Sequence, residues 1–556
     1  MNVMLTLFHL APVQTLTTFK KILIPLLGLL AAAVYIMLAS NHLDAQGLYH
    51  DELHQAPAAF AYTGLRPQAF APVMICGVPV LNMSYSGAVK SAIYGIFLKI
   101  SGVGFSATNW RMTGILIVAT ALFLFSLLTR KCLSNRFLIV VYLLLLTDNS
   151  LILMTRHDWG PVALAFFLRL MAIGLMLRVM VQAKEISKAV LFVIACLVGF
   201  SIFEKLNNIV LLAPGVLFFC FIIRRIRFSH YVSGLGGFTL GLAPLITANL
   251  YSYFTAGYLV SLSQVSAEKV MSFHQFFLYA KEYLCLGRGV LVSTMILGEA
   301  PGGTWTVWSV PLLSLIALVA GIVLWKKSML CRAGVLMILC YVATGLLMYF
   351  LPRPTSFYHW MVGTPFQYAG LALVASACIE MFFWRRTTIM PILLQQALFI
   401  VVGLMIVLPR ISDAVWLQSQ LTAGKYSHRW SPELSQMGVF AADHQEDAIF
   451  VAADWGVATQ IICYLNGMPG KVAELFWYYQ AEPDFLCLLG QQVKRVYVVN
   501  LRPPVNVVPE NTRRIKKLVN KLCREDRLRK VQAPVFSTVE MNAYDVVHPP
   551  AARFCN

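Results

Sequence analysis

The stretch ILIPLLGLLAAAVYIMLAS (22–40), followed shortly by YHDELHQ (49–55), sets the fold class of this chain. An uncharged apolar run of this length is enough for a helix to cross the roughly 30 Å of hydrocarbon in a bilayer. It is too long for the apolar core of a signal peptide, and no good small-residue cleavage site follows it. The sequence therefore predicts a first transmembrane helix with a charged segment just beyond its end.

The composition extends this prediction to most of the chain. Of 556 residues, 58% are hydrophobic and only 12% are charged, and the mean hydropathy is +0.70. Soluble domains are usually about 45–50% apolar and about 25% charged, so a multi-spanning membrane protein is predicted. The net charge of +19 is spread in short clusters between apolar runs, which is typical of topology signals and argues against a nucleic-acid partner.

Apolar windows long enough to span a bilayer predict about eleven transmembrane helices. They lie near residues 22–40, 111–129, 137–154, 160–181, 189–204, 208–223, 233–254, 305–325, 333–351, 361–384 and 391–410. A shorter apolar stretch at 86–101 is either a twelfth span or a helix along the membrane surface. Loops rich in Lys and Arg alternate strictly with loops that carry acids, which favours the second interpretation.

The same alternation predicts the orientation. Cytoplasmic loops are enriched in Lys and Arg, so we expect a multi-pass protein of the inner (cytoplasmic) membrane with its amino terminus in the cytoplasm. Residues 1–411 form the predicted membrane domain, whose first outer loop, about 41–108, carries membrane-surface helices. Residues 412–556 are predicted to form a small extracytoplasmic α/β domain in an accessory role.

The pattern within that domain is more specific. AIFVAAD (448–454) and VKRVYVVN (493–500) are typical of buried strands, and helices are predicted at 456–466 and 511–524. The domain shows no Gly-rich phosphate loop and no nucleophile motif, so a second enzyme is not predicted there.

The segment HDELH (50–54) has two chemical interpretations. A zinc-protease helix needs Glu directly after its first His, but Asp51 stands there, Pro57 restricts any continuation of the helix, and no third ligand follows. The alternative is a functional carboxylate pair, Asp51-Glu52, at the membrane surface. A solvated loop of no consequence is the simpler explanation, but carboxylates are costly at headgroup depth in a mostly apolar loop. We therefore favour the functional pair.

Several motifs follow one another on the predicted outer side of the membrane. They are Asp51-Glu52 with FAYTGL (60–65), YSGAVKSAIYGIFLKISG (85–102) with NWRMTG (109–114), MTRHDWGPVALAFFL (154–168) and, more weakly, SFYHWMVGTP (356–365). In this order the chain resembles the GT-C superfamily of polytopic glycosyltransferases, family 39 type, which includes protein O-mannosyltransferases and the lipid A aminoarabinose transferase. It departs from the family pattern at Leu53-His54, where the family often has Arg or Tyr.

The resemblance implies transfer of a sugar from polyprenyl phosphate to a lipid, glycan or protein acceptor on the outer face, with inversion. An acceptor hydroxyl must lose its proton as it attacks the sugar, so a carboxylate is expected to act as general base. Asp51 is the predicted base and Glu52 an orienting or binding group, with the reverse assignment as the alternative. Asp158 is expected to hold Arg156, to position the acceptor or to join a metal.

Cations should stabilise the charge that develops on the departing lipid phosphate. The candidates are Lys90, Arg111, Arg156, Arg288, Arg353 and His359. For each, the alternative is a surface charge or a headgroup anchor. Dependence on a divalent metal is left open, with His50, Asp51, His54 and Asp158 as the residues that would bind it. Arg169, within the fourth span, should face the interior of the helix bundle.

Two rival functions come from other classes. A transporter or flippase of lipid-linked sugars would need ionisable residues within its spans and is often built from internal repeats. This chain has no evident repeat, and its acids lie mostly at the outer surface. A non-catalytic membrane assembly protein is the second rival. Membrane lipids are expected partners in every case.

Overall fold

The computed structural model describes residues 13–64, 73–181, 185–262, 273–302, 308–351, 357–384, 407–468, 470–475, 493–506 and 509–547. In the membrane part and its first loop, the α-helices are α1 Val13–Ala39, α2 His50–Leu53, α3 Val89–Ser101, α4 Ala107–Thr129, α5 Asn135–Leu146, α6 Asn149–His157, α7 Val162–Val181, α8 Lys188–Glu204, α9 Leu212–Ile222, α10 Phe228–Ala256, α11 Phe273–Leu284, α12 Val290–Leu297, α13 Ser309–Val323, α14 Met329–Tyr349, α15 Phe357–Trp360 and α16 Thr364–Trp384. Short 3-10 helices cover Pro57–Thr63, Leu206–Leu211, Ile223–Arg225, Val260–Leu262, Leu286–Arg288 and His428–Trp430.

The remaining elements are a helix over 407–422 and the following helices and strands. The helices are α17 Glu433–Asp443, α18 Val457–Tyr464 and α19 Pro509–Arg524. The strands are β1 Val73–Ile75, β2 Val78–Met83, β3 Ser86–Gly87, β4 Ala448–Ala452, β5 Val472–Glu474, β6 Arg495–Leu501, β7 Leu528–Val531 and β8 Val539–Val546.

Helices occupy each predicted window that lies in the described residues, whereas most of 391–410 lies outside them. Among the described helices, six are long and apolar enough to cross a membrane, or seven if the bent pair α5 and α6 is one span. The total of eleven spans and their orientation therefore stay predictions. Helix α3, within the stretch 86–101, has 13 residues and is only about 20 Å long, which agrees with a helix that does not span.

The bend between α5 and α6 places one of the predicted motifs. The chain bends by 65° between the two helices. Asp148 caps α6 by accepting a hydrogen bond from the Leu151 amide at 2.8 Å. Helix α6 ends at His157, and the next residue, Asp158, has a backbone φ of +45°, in the left-handed region. The chain therefore turns sharply at residues 158–161, between α6 and α7, and this turn lies against α2.

Helices α8 and α10 pack with their backbones in contact. A Cβ atom built on Gly237 would lie 2.1 Å from the carbonyl oxygen of Phe192, and one on Gly241 would lie 2.2 Å from that of Cys196. Small residues permit such close packing of membrane helices. This contact fixes α8, which ends directly before Lys205.

The carboxyl-terminal domain contains a five-stranded sheet of order β5-β4-β6-β8-β7. Strands β5, β4 and β6 are parallel, whereas β8 runs antiparallel to β6 and β7. All five residues of β4 are buried, because both faces of the sheet are covered. The predicted strands and helices of this domain are confirmed, while the boundary predicted at 411/412 falls within the helix over 407–422 and stays a prediction.

Candidate active site

The short helix α2 carries Asp51 to a partly open position. Its side chain is 24% exposed, and Oδ2 accepts a hydrogen bond from the Trp159 indole nitrogen at 2.9 Å. The Gly160 amide donates to the Asp51 carbonyl oxygen at 3.2 Å. The turn after α6 therefore holds Asp51 from one side, while the carboxylate keeps a face that a substrate can reach.

Glu52 has a different environment, although it is the next residue. It is buried, and Arg111 donates to it twice, from Nε to Oε1 at 2.6 Å and from Nη2 to Oε2 at 2.9 Å. Burial alone would raise the pKa of Glu52, but the Arg111 charge and hydrogen bonds, with His157, outweigh burial and lower the pKa to about 2. Glu52 is therefore an ionised anchor with little freedom to accept a proton.

Arg111 and Arg156 both hold the segment that leads to α2. Arg111 also donates to the carbonyl oxygens of Leu43, Gln46 and Gly47. Arg156 donates to the carbonyl oxygens of Ala39, Asn41 and His42 and to the Gln46 amide oxygen. Both guanidinium groups are fully buried, so binding a phosphate would require these contacts to break.

Lys90 and Asp158 form a second buried pair. The Lys90 ammonium lies 2.7 Å from Asp158 Oδ2, although the angle is poor for a hydrogen bond, and it sits 3.6 Å above the ring of Trp110. Asp158 Oδ1 accepts from the Ala163 amide at 2.7 Å at the start of α7. Asp158 thus caps a helix and neutralises Lys90, and neither side chain is exposed.

Lys205 was not among the predicted site residues, yet it lies beside them. Its ammonium packs against Gly160 and lies 5.1 Å from the ring centroid of Tyr358, which stacks on Trp159 at 5.1 Å. The side chain is buried, and its nitrogen has no hydrogen-bond partner within the described residues. Burial lowers the pKa of Lys205 to about 7; Arg169 acts in the same direction, and Asp158 and Asp51 oppose it.

A small pocket surrounds the Lys205 ammonium. Arg169, Asn207, Asn208, Tyr358 and His359 contribute to its wall, and its volume is about 10 Å³, the space of one water molecule. The His359 Nδ1 atom is buried and has no hydrogen-bond partner among the described residues, and burial lowers the pKa of the imidazole well below its ordinary value. A phosphate group would therefore enter only if these side chains moved apart.

A larger apolar cavity of about 450 Å³ lies among α7, α8, α9 and α10. Arg169 lines both this cavity and the small pocket. Its guanidinium donates to the Asn208 amide oxygen at 3.2 Å, whereas its Nε has no partner in the described part of the chain. The prediction that Arg169 faces the bundle interior is confirmed, since only 3% of the residue is exposed.

Two other predicted cations lie elsewhere or outside the described residues. Arg288 donates to Asp413 at 3.0 Å and to the carbonyl oxygens of Pro301 and Gly302. Arg353 falls in 352–356, which the structure does not describe. Arg288 therefore binds the helix over 407–422 through Asp413, and it does not line the pocket at Lys205.

Histidines near Asp51 do not assemble a metal site. Among the described residues, no group of three or more His, Cys, Asp or Glu side chains is placed to bind a metal ion. His50 and His54 are buried, and burial lowers the pKa of each to about 4, so both imidazoles are neutral at pH 7. The zinc-protease interpretation of HDELH thus gains no support, and α2 is a helix of only four residues.

The overall architecture matches solved structures of ArnT from Cupriavidus metallidurans. The apo structure aligns with a TM-score of 0.57 at 11% identity, covering 95% of this chain and 98% of that one. The structure bound to undecaprenyl phosphate aligns with a TM-score of 0.51 at 12% identity, covering 93% and 97%. This chain has the GT-C fold. No protein-family model matches the sequence, and a search of curated proteins found no match, so the likeness concerns the fold.

The GT-C fold confirms the predicted class, a polytopic helical membrane protein with a small carboxyl-terminal α/β region. Within it, Asp51, Trp159, Tyr358 and Lys205 form one continuous set of contacts. Asp51 was predicted from the sequence as a site residue, whereas Trp159, Tyr358 and Lys205 were not. The position of Lys205 in the sequence could have identified it. It lies at the end of an apolar run on the predicted outer side, where lysine is uncommon.

Proposed function

We propose that this protein is a membrane glycosyltransferase of the cytoplasmic membrane. It would move a hexose or pentose from polyprenyl phosphate to a lipid, glycan or protein acceptor on the outer face, with inversion. One observation carries the proposal: the partly exposed Asp51 side chain is linked through Trp159 and Tyr358 to the Lys205 ammonium, which has no hydrogen-bond partner in the described ranges. That ammonium adjoins Arg169, which also lines the apolar cavity.

The proposed reaction needs a proton acceptor on one side of the sugar. The acceptor oxygen or nitrogen forms a bond to the anomeric carbon, its proton passes to Asp51, and the bond from that carbon to the phosphate oxygen breaks. Asp51 suits this role because it is the carboxylate of the three with an exposed face. Its hydrogen bond from the Trp159 indole fixes its direction without neutralising its charge.

The other side of the sugar needs positive charge for the departing phosphate. We assign this role to Lys205 and Arg169. Among the described residues, the Lys205 ammonium has no hydrogen-bond partner, the Arg169 guanidinium donates to Asn208 alone, and neither cation forms an ion pair with a carboxylate. The Arg156 guanidinium, by contrast, is held by four acceptors. Buried cations stabilise developing charge strongly where water is excluded. Lys90, Arg111 and Arg156 would instead shape the site through the contacts already described. The solved complex of ArnT with undecaprenyl phosphate supports a lipid phosphate as the ligand.

Comparison of cells with and without the protein tests the function directly. Mass spectrometry of outer-face lipids, glycans and proteins should show one class that loses a hexose or pentose when the protein is absent. The purified protein in liposomes is then given that acceptor and a donor, undecaprenyl phosphate carrying that sugar. We expect it to release free undecaprenyl phosphate. Accumulation of the donor on one leaflet with no release of undecaprenyl phosphate by the purified protein would instead indicate a transporter.

The pH dependence of donor binding tests the role of Lys205. Because its folded-state pKa is about 7, below the ordinary 10.5, the ammonium of the empty site loses its proton as pH rises through 7. A sugar phosphodiester does not titrate in this range, so its affinity should fall by about tenfold per pH unit above pH 7, towards a plateau. Lys205→Met should weaken binding at pH 6 by about 10- to 100-fold and flatten the pH profile.

Binding of undecaprenyl-phosphoryl sugar to the purified protein, measured from pH 6 to 9, provides the data. Lys326→Met is the matched control, because Lys326 is an exposed lysine in the turn that follows α13. It should leave both the affinity and its pH dependence unchanged. If the Lys205 and Lys326 variants bind the donor with the same affinity and the same pH dependence, Lys205 does not bind the phosphate.

A further inference from the structure

Asp51 has a second polar neighbour besides Trp159. His50 Nε2 lies 3.4 Å from Asp51 Oδ1, without the geometry of a formed hydrogen bond, and it has no other partner among the described residues. Catalytic hydrogen bonds are often long in the empty site and tighten when substrate binds. A neutral imidazole with its proton on Nε2 can donate to Oδ1, which orients the carboxylate while leaving it negative. Its burial keeps His50 in that neutral form.

The carboxyl-terminal domain in turn fixes His50. The imidazole packs against two aromatic rings, with centroid distances of 3.8 Å to Tyr49 and 4.1 Å to Trp455. Gly456 faces the same side chain: a Cβ atom built there would lie 2.1 Å from the His50 Cβ. Gly456 has a φ of +81°, in the left-handed region that favours glycine. The corner Trp455-Gly456 therefore limits where His50 can lie.

Two hydrogen bonds to backbone carbonyl oxygens strengthen this junction. The Gln460 side-chain amide donates to the Leu48 carbonyl oxygen, and the Gly47 backbone amide donates to the Trp430 carbonyl oxygen at 2.8 Å. Gly47 and Leu48 are thus tied to residues 383 and 412 positions further along the chain. A shift of the domain would move the backbone that carries Asp51.

We infer that His50 is a positioning residue for Asp51, and that the corner Trp455-Gly456 of the carboxyl-terminal domain sets its position. The domain is then a structural part of the active site and not merely a cover over it. This inference rests on the proposed role of Asp51 as general base.

Gly456→Ala tests the inference with a closely matched control. The added methyl group should displace His50, and a misplacement of about 1 Å near the reacting groups can cost about 10²-fold in rate. Gly298→Ala imposes the same backbone strain, because Gly298 also has a φ of +81°, but the nearest atom to its Cβ would be 3.8 Å away. We expect Gly456→Ala to lower kcat by about 10²-fold with KM for the donor unchanged, and Gly298→Ala to keep the wild-type kcat.

His50 variants test the same inference without altering the domain. His50→Leu should lower kcat and move the acidic limb of the rate profile to higher pH, because a donor that favours the ionised carboxylate is lost. His50→Gln places an amide donor at a similar reach and should restore most of kcat and the wild-type limb. Loss of packing alone would lower the rate at every pH without moving the limb, and Gln would not restore it.

The rate measured is release of undecaprenyl phosphate from undecaprenyl phosphate carrying the sugar found in the cell comparison. The inference is wrong if Gly456→Ala has the same kcat as Gly298→Ala and His50→Leu has the same kcat as the wild type. In that case, loss of activity in Asp51→Asn would still support the proposed function. If Asp51→Asn keeps full activity, the proposed function fails and the inference fails with it.

Discussion

Asp51→Asn is expected to lower the rate of sugar transfer by about 10²- to 10⁴-fold, which is the usual contribution of a general base. The amide oxygen of Asn can still accept the hydrogen bond that the Trp159 indole now donates to Asp51. It cannot take up a proton from the acceptor. The measurement is kcat with the purified protein in liposomes, followed as release of undecaprenyl phosphate.

Stability and charge need separate controls for this variant. Because the Asp51 side chain is partly exposed and no described Lys or Arg forms an ion pair with it, we expect the thermal unfolding midpoint to stay at the wild-type value. Asp44→Asn removes an exposed carboxylate from the same loop and should leave kcat unchanged. A fully active Asp51→Asn protein, or one whose loss of product only follows a loss of folded protein, would remove Asp51 as the base.

The neighbouring carboxylates show why Asp51 is the better candidate. Asp158 is completely buried, pairs with Lys90 and accepts a hydrogen bond from the Ala163 amide. Taking a proton there would leave the Lys90 charge unbalanced in a buried site, which is costly. Glu52 is held by two hydrogen bonds from Arg111, so the same objection applies. No Lys or Arg in the described part of the chain forms an ion pair with Asp51.

Hydrophobic patterning was sufficient to predict most elements of the fold. Long apolar runs mark helices because a bilayer leaves the backbone few other ways to satisfy its polar groups. The strand AIFVA of β4 was predictable for a related reason: a fully buried strand is an unbroken apolar run. The break between α5 and α6 was not predicted. The window at 137–154 is apolar enough to suggest one continuous span, although it contains Asp148, which caps the second helix.

The partners of the charged residues were much less predictable. The pairs Glu52 with Arg111 and Lys90 with Asp158 join residues about 60 or more positions apart, and sequence spacing does not encode such contacts. The motifs identified these residues as important without separating anchors from reacting groups. Arg111 and Arg156 fit the family pattern, yet both hold the backbone around residues 39–47. Lys205 lies outside the motifs that resemble the family, and only its packing on Gly160 and Tyr358 places it beside Asp51.

Glu52→Gln is expected to destabilise the folded protein by about 3–5 kcal/mol, the usual cost of removing one partner from a buried ion pair. The amide keeps the shape of the side chain but leaves the Arg111 charge buried without its counter-charge. Unfolding in a detergent titration, monitored by tryptophan fluorescence, measures the change, and Asp44→Asn is the control with little expected effect. The double variant with Arg111→Met should recover part of the loss, because it removes the unpaired charge.

The pH dependence separates this charge effect from a packing effect. The folded-state pKa of Glu52, about 2, lies below the ordinary value of 4.5, so its stabilising contribution is present above about pH 4.5 and is lost as pH falls towards 2. The stability difference between wild type and Glu52→Gln should therefore be constant above about pH 5 and shrink as pH falls from 4 to 2. Recovery in the double variant should be incomplete, because Arg111 also donates to the carbonyl oxygens of Leu43, Gln46 and Gly47. A pH-independent difference, with no recovery in the double variant, would show that Glu52 acts through packing and not through its charge.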